Sequence, residues 1–190
     1  MRNVWMCEEL GIPYDHIAMT TQDGATRQPA YLKINPSGHI PAIDDGGFTL
    51  SESMAINLYL AKKHGKFYPT KLQDEARAWQ WSFWVVTELD APIIQWISNS
   101  VSRPMEKRDS RLAIQARETI EWPLQVLNEE LSHRECLVDG CGFSVADLNV
   151  ASVLYRLLFL DLSQKPHLES WLKRCWERPA AKRARALRET

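Results

Sequence analysis

One stretch limits what this chain can become. It is residues 35–60, NPSGHIPAIDDGGFTLSESMAINLYL. Asn35-Pro36-Ser37-Gly38 is loop chemistry, because Pro and Gly punctuate regular structure and Asn tolerates unusual backbone angles. Ile40-Pro41-Ala42-Ile43 is a short apolar run, and Asp44-Asp45-Gly46-Gly47 is a hairpin signal. Phe48-Thr49-Leu50 alternates as a half-buried strand does. Ser51-Glu52-Ser53 then precedes a helical pattern, with Met54, Leu58 and Ala61 on one stripe and Ile56 and Leu60 beside it. The order is loop, strand, turn, strand, helix, with no residues to spare.

Two features exceed the needs of folding. Pro41 at a strand start cannot donate to a ladder, so it marks an edge, a bend or a cis bond. It leaves the backbone of Ile40 available to an extended peptide. Glu52-Ser53 stands at a helix start, where unpaired N–H groups and the positive dipole end collect. A Ser hydroxyl with those N–H groups suits a carboxylate, and Glu52 suits an ammonium beside it. Together they fit an amino-acid head group.

This stretch resembles the glutathione-binding half of the cytosolic glutathione transferases, bacterial type. Their pattern is N-P-x-G-x-[IV]-P-A-[IL], a turn, then [EQ]-S-x-A-I, and every position is filled here. The resemblance implies that Pro41 is cis and that Ile40 pairs by its backbone with the cysteinyl part of glutathione. It implies that Glu52 and Ser53 hold the γ-glutamyl end and that His39 reaches the glycine carboxylate. It further implies conjugation of the glutathione thiolate to a small hydrophobic electrophile by a homodimer, with no metal.

The first helix is read over Arg2–Leu10, closed by Gly11. A strand is read over Tyr14–Met19, a polar loop over residues 20–28, and a short helix over residues 29–34 begun by Pro29. The family's thioredoxin-like domain has a further strand before the first helix, and its following turn carries the catalytic Ser, Tyr or Cys. The present chain starts at that helix. The expectation is an incomplete N-terminus, an unassigned catalytic residue, and weak activity or none. Cys7 is two turns into the helix beside Met6, where a structural thiol is the default. Arg2 reads as a helix-face residue, and Asn3 as only a minor candidate for a thiolate donor.

The fold class follows as an incomplete α/β thioredoxin-like N-terminal domain, residues 1–65, and an all-α domain, residues 72–190, joined by residues 66–71. A long helix is read over residues 73–102, kinked by Pro92, with Trp79, Phe83, Val86 and Leu89 on one face. Trp81, Trp84, Trp96 and Asn99 are pocket-lining candidates by resemblance. A second helix covers residues 108–132, with Ile114, Ile120 and Leu127 apolar and a bend at Pro123. Ser144 and Asp147 form a capping box, with Phe143 and Leu148 as its hydrophobic staple, opening an almost wholly apolar helix to Leu160. The family shares this box, so Asp147 is structural. A short helix follows over residues 166–176, and the basic segment Pro179–Glu189, carrying Lys182, Arg183, Arg185 and Arg188, reads as a solvated helix.

Charge and cysteines exclude some classes. The formal net charge is −1, which argues against nucleic-acid or charge-driven membrane binding. No apolar run reaches membrane-spanning length. Cys7, Cys136, Cys141 and Cys175 are scattered, as in a reducing cytoplasm. His133, Cys136 and Cys141 have loosely metal-like spacing but no fourth ligand. Two other readings stand beside the transferase: a glutathione-dependent isomerase or reductase on the same fold, and a non-catalytic scaffold.

Overall fold

A computed structural model describes residues 1–20, 24–140 and 142–189. The chain divides into two compact units. One holds residues 1–68 and the segment from Pro179 onward, the other residues 69–178.

In the first unit α1 (Arg2–Leu10) ends at Gly11, whose φ of 68° turns its N–H onto the Cys7 carbonyl. Trp5, Met6 and Leu10 are buried. α2 (Pro29–Leu32) starts on its proline. β1 (Ala42–Asp45) and β2 (Phe48–Ser51) pair antiparallel from Ala42↔Ser51 to Asp45↔Phe48. The two-residue turn is Gly46-Gly47, with φ of 64° and 93°, the positive values a primed hairpin turn needs. α3 (Ser53–His64) follows. The hairpin is fastened to α3 by the Tyr59 hydroxyl, 2.7 Å from Asp45 Oδ2, and by Lys63 on the same oxygen.

Two readings of this unit change. Among the described residues, Tyr14–Met19 joins no ladder and is not a strand. Alternating side chains make a strand only where a partner backbone runs alongside. The basic segment is not simply solvated either. It forms α9 (Pro179–Glu189), which packs on α1 and buries Ala180, Ala181 and Ala184. The alanines make a narrow apolar stripe that lets two helices approach closely. The charges occupy the rest of the surface.

Arg183 Nε donates to Glu8 Oε2 at 2.5 Å, and the Tyr14 hydroxyl to Glu8 Oε1 at 2.7 Å. These donors, Arg183 first, hold the Glu8 carboxyl below the usual glutamate range. A folded-state value that is depressed stabilises fully above the unfolded value and is lost as pH falls through the folded one. The Arg183 side chain is 55% exposed, so the pair is worth about 1 kcal/mol at most. On acidification below about pH 4, hydrogen-exchange protection of α9, corrected for intrinsic rates, is expected to fall before that of the second unit. Arg183→Gln is expected to remove that acid step. Equal α9 protection at both ends of the titration contradicts the tether.

In the second unit α4 (Leu72–Val85) runs through a wide π-type turn, Val86–Asp90, into α5 (Ala91–Ile97) and a second wide turn, Ser98–Ser102. The first wide turn lies directly before Pro92, where the missing N–H interrupts the ladder. The buried stripe here is Ala78, Trp81, Ser82, Val85, Leu89 and Ile93. Of the four residues read on one face, Leu89 is buried, whereas Trp79 and Phe83 are 40% and 60% exposed. Both stripes have helical spacing. The stripe through Ser82 faces in, and Ser82 Oγ accepts from Asn149 Nδ2 at 2.8 Å.

α6 (Ser110–Ser132) is capped by Asp109, whose carboxylate accepts from the N–H groups of Arg111 and Leu112. Ile120 and Leu127 are buried, but Ile114 is 60% exposed. α7 (Val145–Val153) is buried at all nine residues. It stops short of Leu160, tightening into a 3-10 turn over Leu154–Phe159. Trp176 Nε1 donates to the Ala151 carbonyl at 3.1 Å, the acceptor that a continuing α-helix would offer to Tyr155. α8 (Pro166–Glu177) completes the unit. Its first N–H groups, on His167 and Leu168, are capped by Asn128 Oδ1 of α6.

Candidate functional site

The site grows out of the loop before β1. Asn35 Oδ1 accepts from the N–H and hydroxyl of Ser37, and Asn35 Nδ2 donates to the His39 carbonyl at 2.7 Å. The Tyr31 hydroxyl donates to the same carbonyl at 2.6 Å. Gly38 is obligatory here. Its φ is +64°, and an added Cβ would stand 2.7 Å from Arg27 Nη1 and 3.0 Å from the Thr26 carbonyl. With the His39 backbone held from two sides, its imidazole is left on an exposed residue.

The Ile40–Pro41 peptide is cis. Ile40 is 45% exposed, and the ladder begins two residues later at Ala42. The pairing Ala42↔Ser51 sets the rest of the geometry. Ile40 and Pro41 come just before this terminal pair and Glu52 and Ser53 just after it, so the four flank the same end of the hairpin. Four of the five residues singled out in the sequence thus border the terminal ladder pair, and His39 precedes them in the chain.

Glu52 caps α3 with φ 71° and ψ 112°. A non-glycine residue held at such angles costs about 1–3 kcal/mol and is typical of functional sites. Its carboxylate belongs to an exposed residue, while Ser53 is 9% exposed. Sequence reasoning missed the third member, Arg2. Its Nη1 donates to Ser53 Oγ at 3.3 Å. Asn3 Nδ2 donates to the Ser53 carbonyl and to Asn57 Oδ1, both at 2.8 Å. α1 is therefore bound to the first turn of α3, with its guanidinium at the helix tip. From sequence Arg2 reads as a helix-face residue, and nothing local marks Ser53 as a partner of either Arg2 or Asn3.

The start of α3 offers one acceptor, Glu52, followed by several donors: Ser53, the first N–H groups of α3, and Arg2, which bonds to Ser53. That is the complement of a group carrying an ammonium and a carboxylate together. The Ile40 edge beside it suits an extended backbone.

Other candidates sit elsewhere. Burial, then the Glu8 charge, pushes the Cys7 thiol up to about 11, so it is a poor nucleophile at neutral pH. Trp81 is buried and packs edge-on against Trp84, ring centres 5.1 Å apart. Asn99 is buried, and its Oδ1 accepts from the Asp109 N–H, which is a structural duty. Cys141 lies outside the described residues. Among those described, no group of three or more His, Cys, Asp or Glu converges as a metal site would require.

Known proteins match this arrangement along most of the chain. The family model for the glutathione S-transferase N-terminal domain matches residues 1–63, and that for the C-terminal domain residues 89–179. Glutathione S-transferase F10 of Arabidopsis thaliana is 30% identical over 146 residues, covering 74% of this chain and 67% of that protein. The chain belongs to the glutathione S-transferase family. Glutathione S-transferase 4 of Zea mays is 29% identical over 186 residues, with 92% and 81% covered. The theta class glutathione S-transferase of Xanthomonas axonopodis pv. citri, solved with glutathione bound, is 27% identical with a TM-score of 0.87, covering 96% of this chain and 89% of that one. The expected thioredoxin-like and all-helical pair of glutathione S-transferase domains stands, as does the glutathione S-transferase-like character of the protein.

Proposed function

We propose that this glutathione S-transferase binds glutathione at the notch between the Ile40–Pro41 edge and the tip of α3, and joins its sulfur to a small hydrophobic electrophile. Glu52 takes the γ-glutamyl ammonium. Ser53, the α3 amides and Arg2 take the adjoining carboxylate. Ile40 pairs with the cysteinyl backbone through its own N–H and C=O, and His39 meets the glycine carboxylate. The observation that supports this reading is that Ile40-Pro41 and Glu52-Ser53 flank the same terminal ladder pair, Ala42↔Ser51. The reaction is displacement or addition. The glutathione thiol loses its proton, the thiolate attacks an electrophilic carbon, and a leaving group departs with the electron pair or a proton completes the adduct. A free thiol has a pKa near 8.5, so positive charge near bound glutathione favours the reactive form. No metal enters this scheme.

Calorimetry with glutathione tests the binding step. A saturable heat is expected, and no heat with correctly folded protein refutes the reading. Conjugation assayed with a chlorinated aromatic, set against a maleyl substrate, separates transferase from isomerase.

We read the protein as a cytoplasmic homodimer. Among the described residues its cysteines form no disulfide, and no helix is long and apolar enough to cross a membrane. Trp79 and Phe83, one turn apart on the outer face of α4, supply an apolar patch for a second copy. Phe83→Glu is expected to weaken self-association at least about tenfold in sedimentation, since the charge would be desolvated in the interface. An unchanged sedimentation profile places the interface elsewhere.

A further inference from the structure

We infer a second binding site, for a small oxyanion such as a phosphomonoester, built wholly within the second unit. A cleft of about 330 Å³ lies between the end of α6 and one face of α8. Its volume is at the small end of the usual range for ligand pockets, about 300–1,000 Å³. Ser132, His133 and Arg134 line it from the α6 side, and His167, Ser170 and Arg174 from α8. The α8 residues recur at helical spacing, so they share one face.

Donors outnumber acceptors in this cleft. A guanidinium has five N–H donors and no acceptor. Arg174 meets only neutral oxygens: Ser170 Oγ at 2.9 Å from Nη1 and the Glu135 carbonyl at 3.1 Å from Nη2. No carboxylate among the described residues lies within ion-pair distance of it, so its charge is uncompensated. Arg134 is paired with Glu130 at 3.0 Å and more loosely with Asp139 at 3.5 Å. Even so, its Nε and Nη1 are buried without a hydrogen-bond acceptor.

The negative groups nearby are engaged or outnumbered. Glu129 is 3.3 Å from His133 Nε2. The α6 carbonyls that would repel an anion already accept hydrogen bonds, Glu129 from the Ser132 hydroxyl and Glu130 from the His133 N–H. The Glu135 side chain is the one carboxylate on the lining without an ion-pair partner among the described residues. An acceptor-rich dianion answers the donor surplus better than a neutral ligand does. None of these residues belongs to the glutathione notch, and the inference stands apart from that reading.

The test uses the full chain, with inorganic phosphate, phenyl phosphate and acetate as probes, followed by calorimetry and by chemical shifts of the two histidine rings. Saturable phosphate binding is expected at about 1 mM or tighter, with the His133 and His167 signals moving together. Arg174→Gln is expected to weaken it at least tenfold, and Arg174→Lys much less. The melting temperature of each variant reports whether it folds, and Ser170→Ala supplies a milder change that is expected to weaken binding without unfolding. Tighter binding of phenyl phosphate than of inorganic phosphate assigns the site to an organic phosphate. Tighter binding of acetate assigns it to a carboxylate and overturns the phosphomonoester assignment. Binding that is unchanged in Arg174→Gln, or never saturates, overturns the site.

Discussion

Replacing Asp147 by alanine is expected to cost at least about 3 kcal/mol, enough to leave the second unit largely unfolded at physiological temperature in a marginally stable protein. Asp147 is 0% exposed. Its Oδ1 accepts from the Leu137 N–H at 2.9 Å and from Trp171 Nε1 at 3.0 Å. Its Oδ2 accepts from the N–H and hydroxyl of Ser144, both at 2.9 Å. One carboxylate therefore ties together the loop before α7, the start of α7 and the middle of α8. Alanine leaves at least three buried donors without acceptors, each costing about 1–3 kcal/mol. Burial pushes the Asp147 carboxyl up, opposed by its four donors. Chemical denaturation followed by tryptophan fluorescence reads the loss. Asp147→Asn, which keeps the shape and two acceptor lone pairs but adds donors, is expected to fall between wild type and alanine. A midpoint shift in Asp147→Ala worth under about 1 kcal/mol contradicts this account.

Replacing Ser53 by alanine is expected to raise the Kd for glutathione by about ten- to a hundredfold. A hydrogen bond to a charged group is worth about 1.5–3 kcal/mol, and 1.4 kcal/mol is tenfold. Glu52→Gln is expected to act similarly by removing the partner of the ammonium. The control ligand is the dipeptide Cys-Gly, which lacks the γ-glutamyl group. Its weaker affinity is expected not to change in either variant. A loss shared equally by both ligands indicates a disturbed fold rather than a missing contact. An undiminished glutathione Kd in Ser53→Ala moves the head group elsewhere.

What the sequence discloses here is what short-range chemistry determines. Gly46-Gly47 has to turn, Ser144 and Asp147 have to cap, and Pro41 has to interrupt a ladder. All three do so in the structure. The rest depends on partners far along the chain. Arg2 meets Ser53 across 51 positions, and no local pattern records that meeting. On α4, two apolar stripes share the helical period. Asn149, 67 positions away, bonds to Ser82 on the stripe that turns inward. Where α7 gives way to the 3-10 turn, Trp176, 25 positions on, donates to the Ala151 carbonyl. Glu52, with its positive φ, is the single residue that joins the hairpin to α3, a demand of geometry rather than of residue preference.

The seating of α9 on α1 has a consequence for the order of synthesis. The second unit, residues 69–178, is complete in covalent terms before α9 has left the ribosome, and it is free to close on its own. α1, made well before it, waits for α9. Until Ala180, Ala181 and Ala184 arrive, the face of α1 that they cover stays open to water, to chaperones and to neighbouring chains.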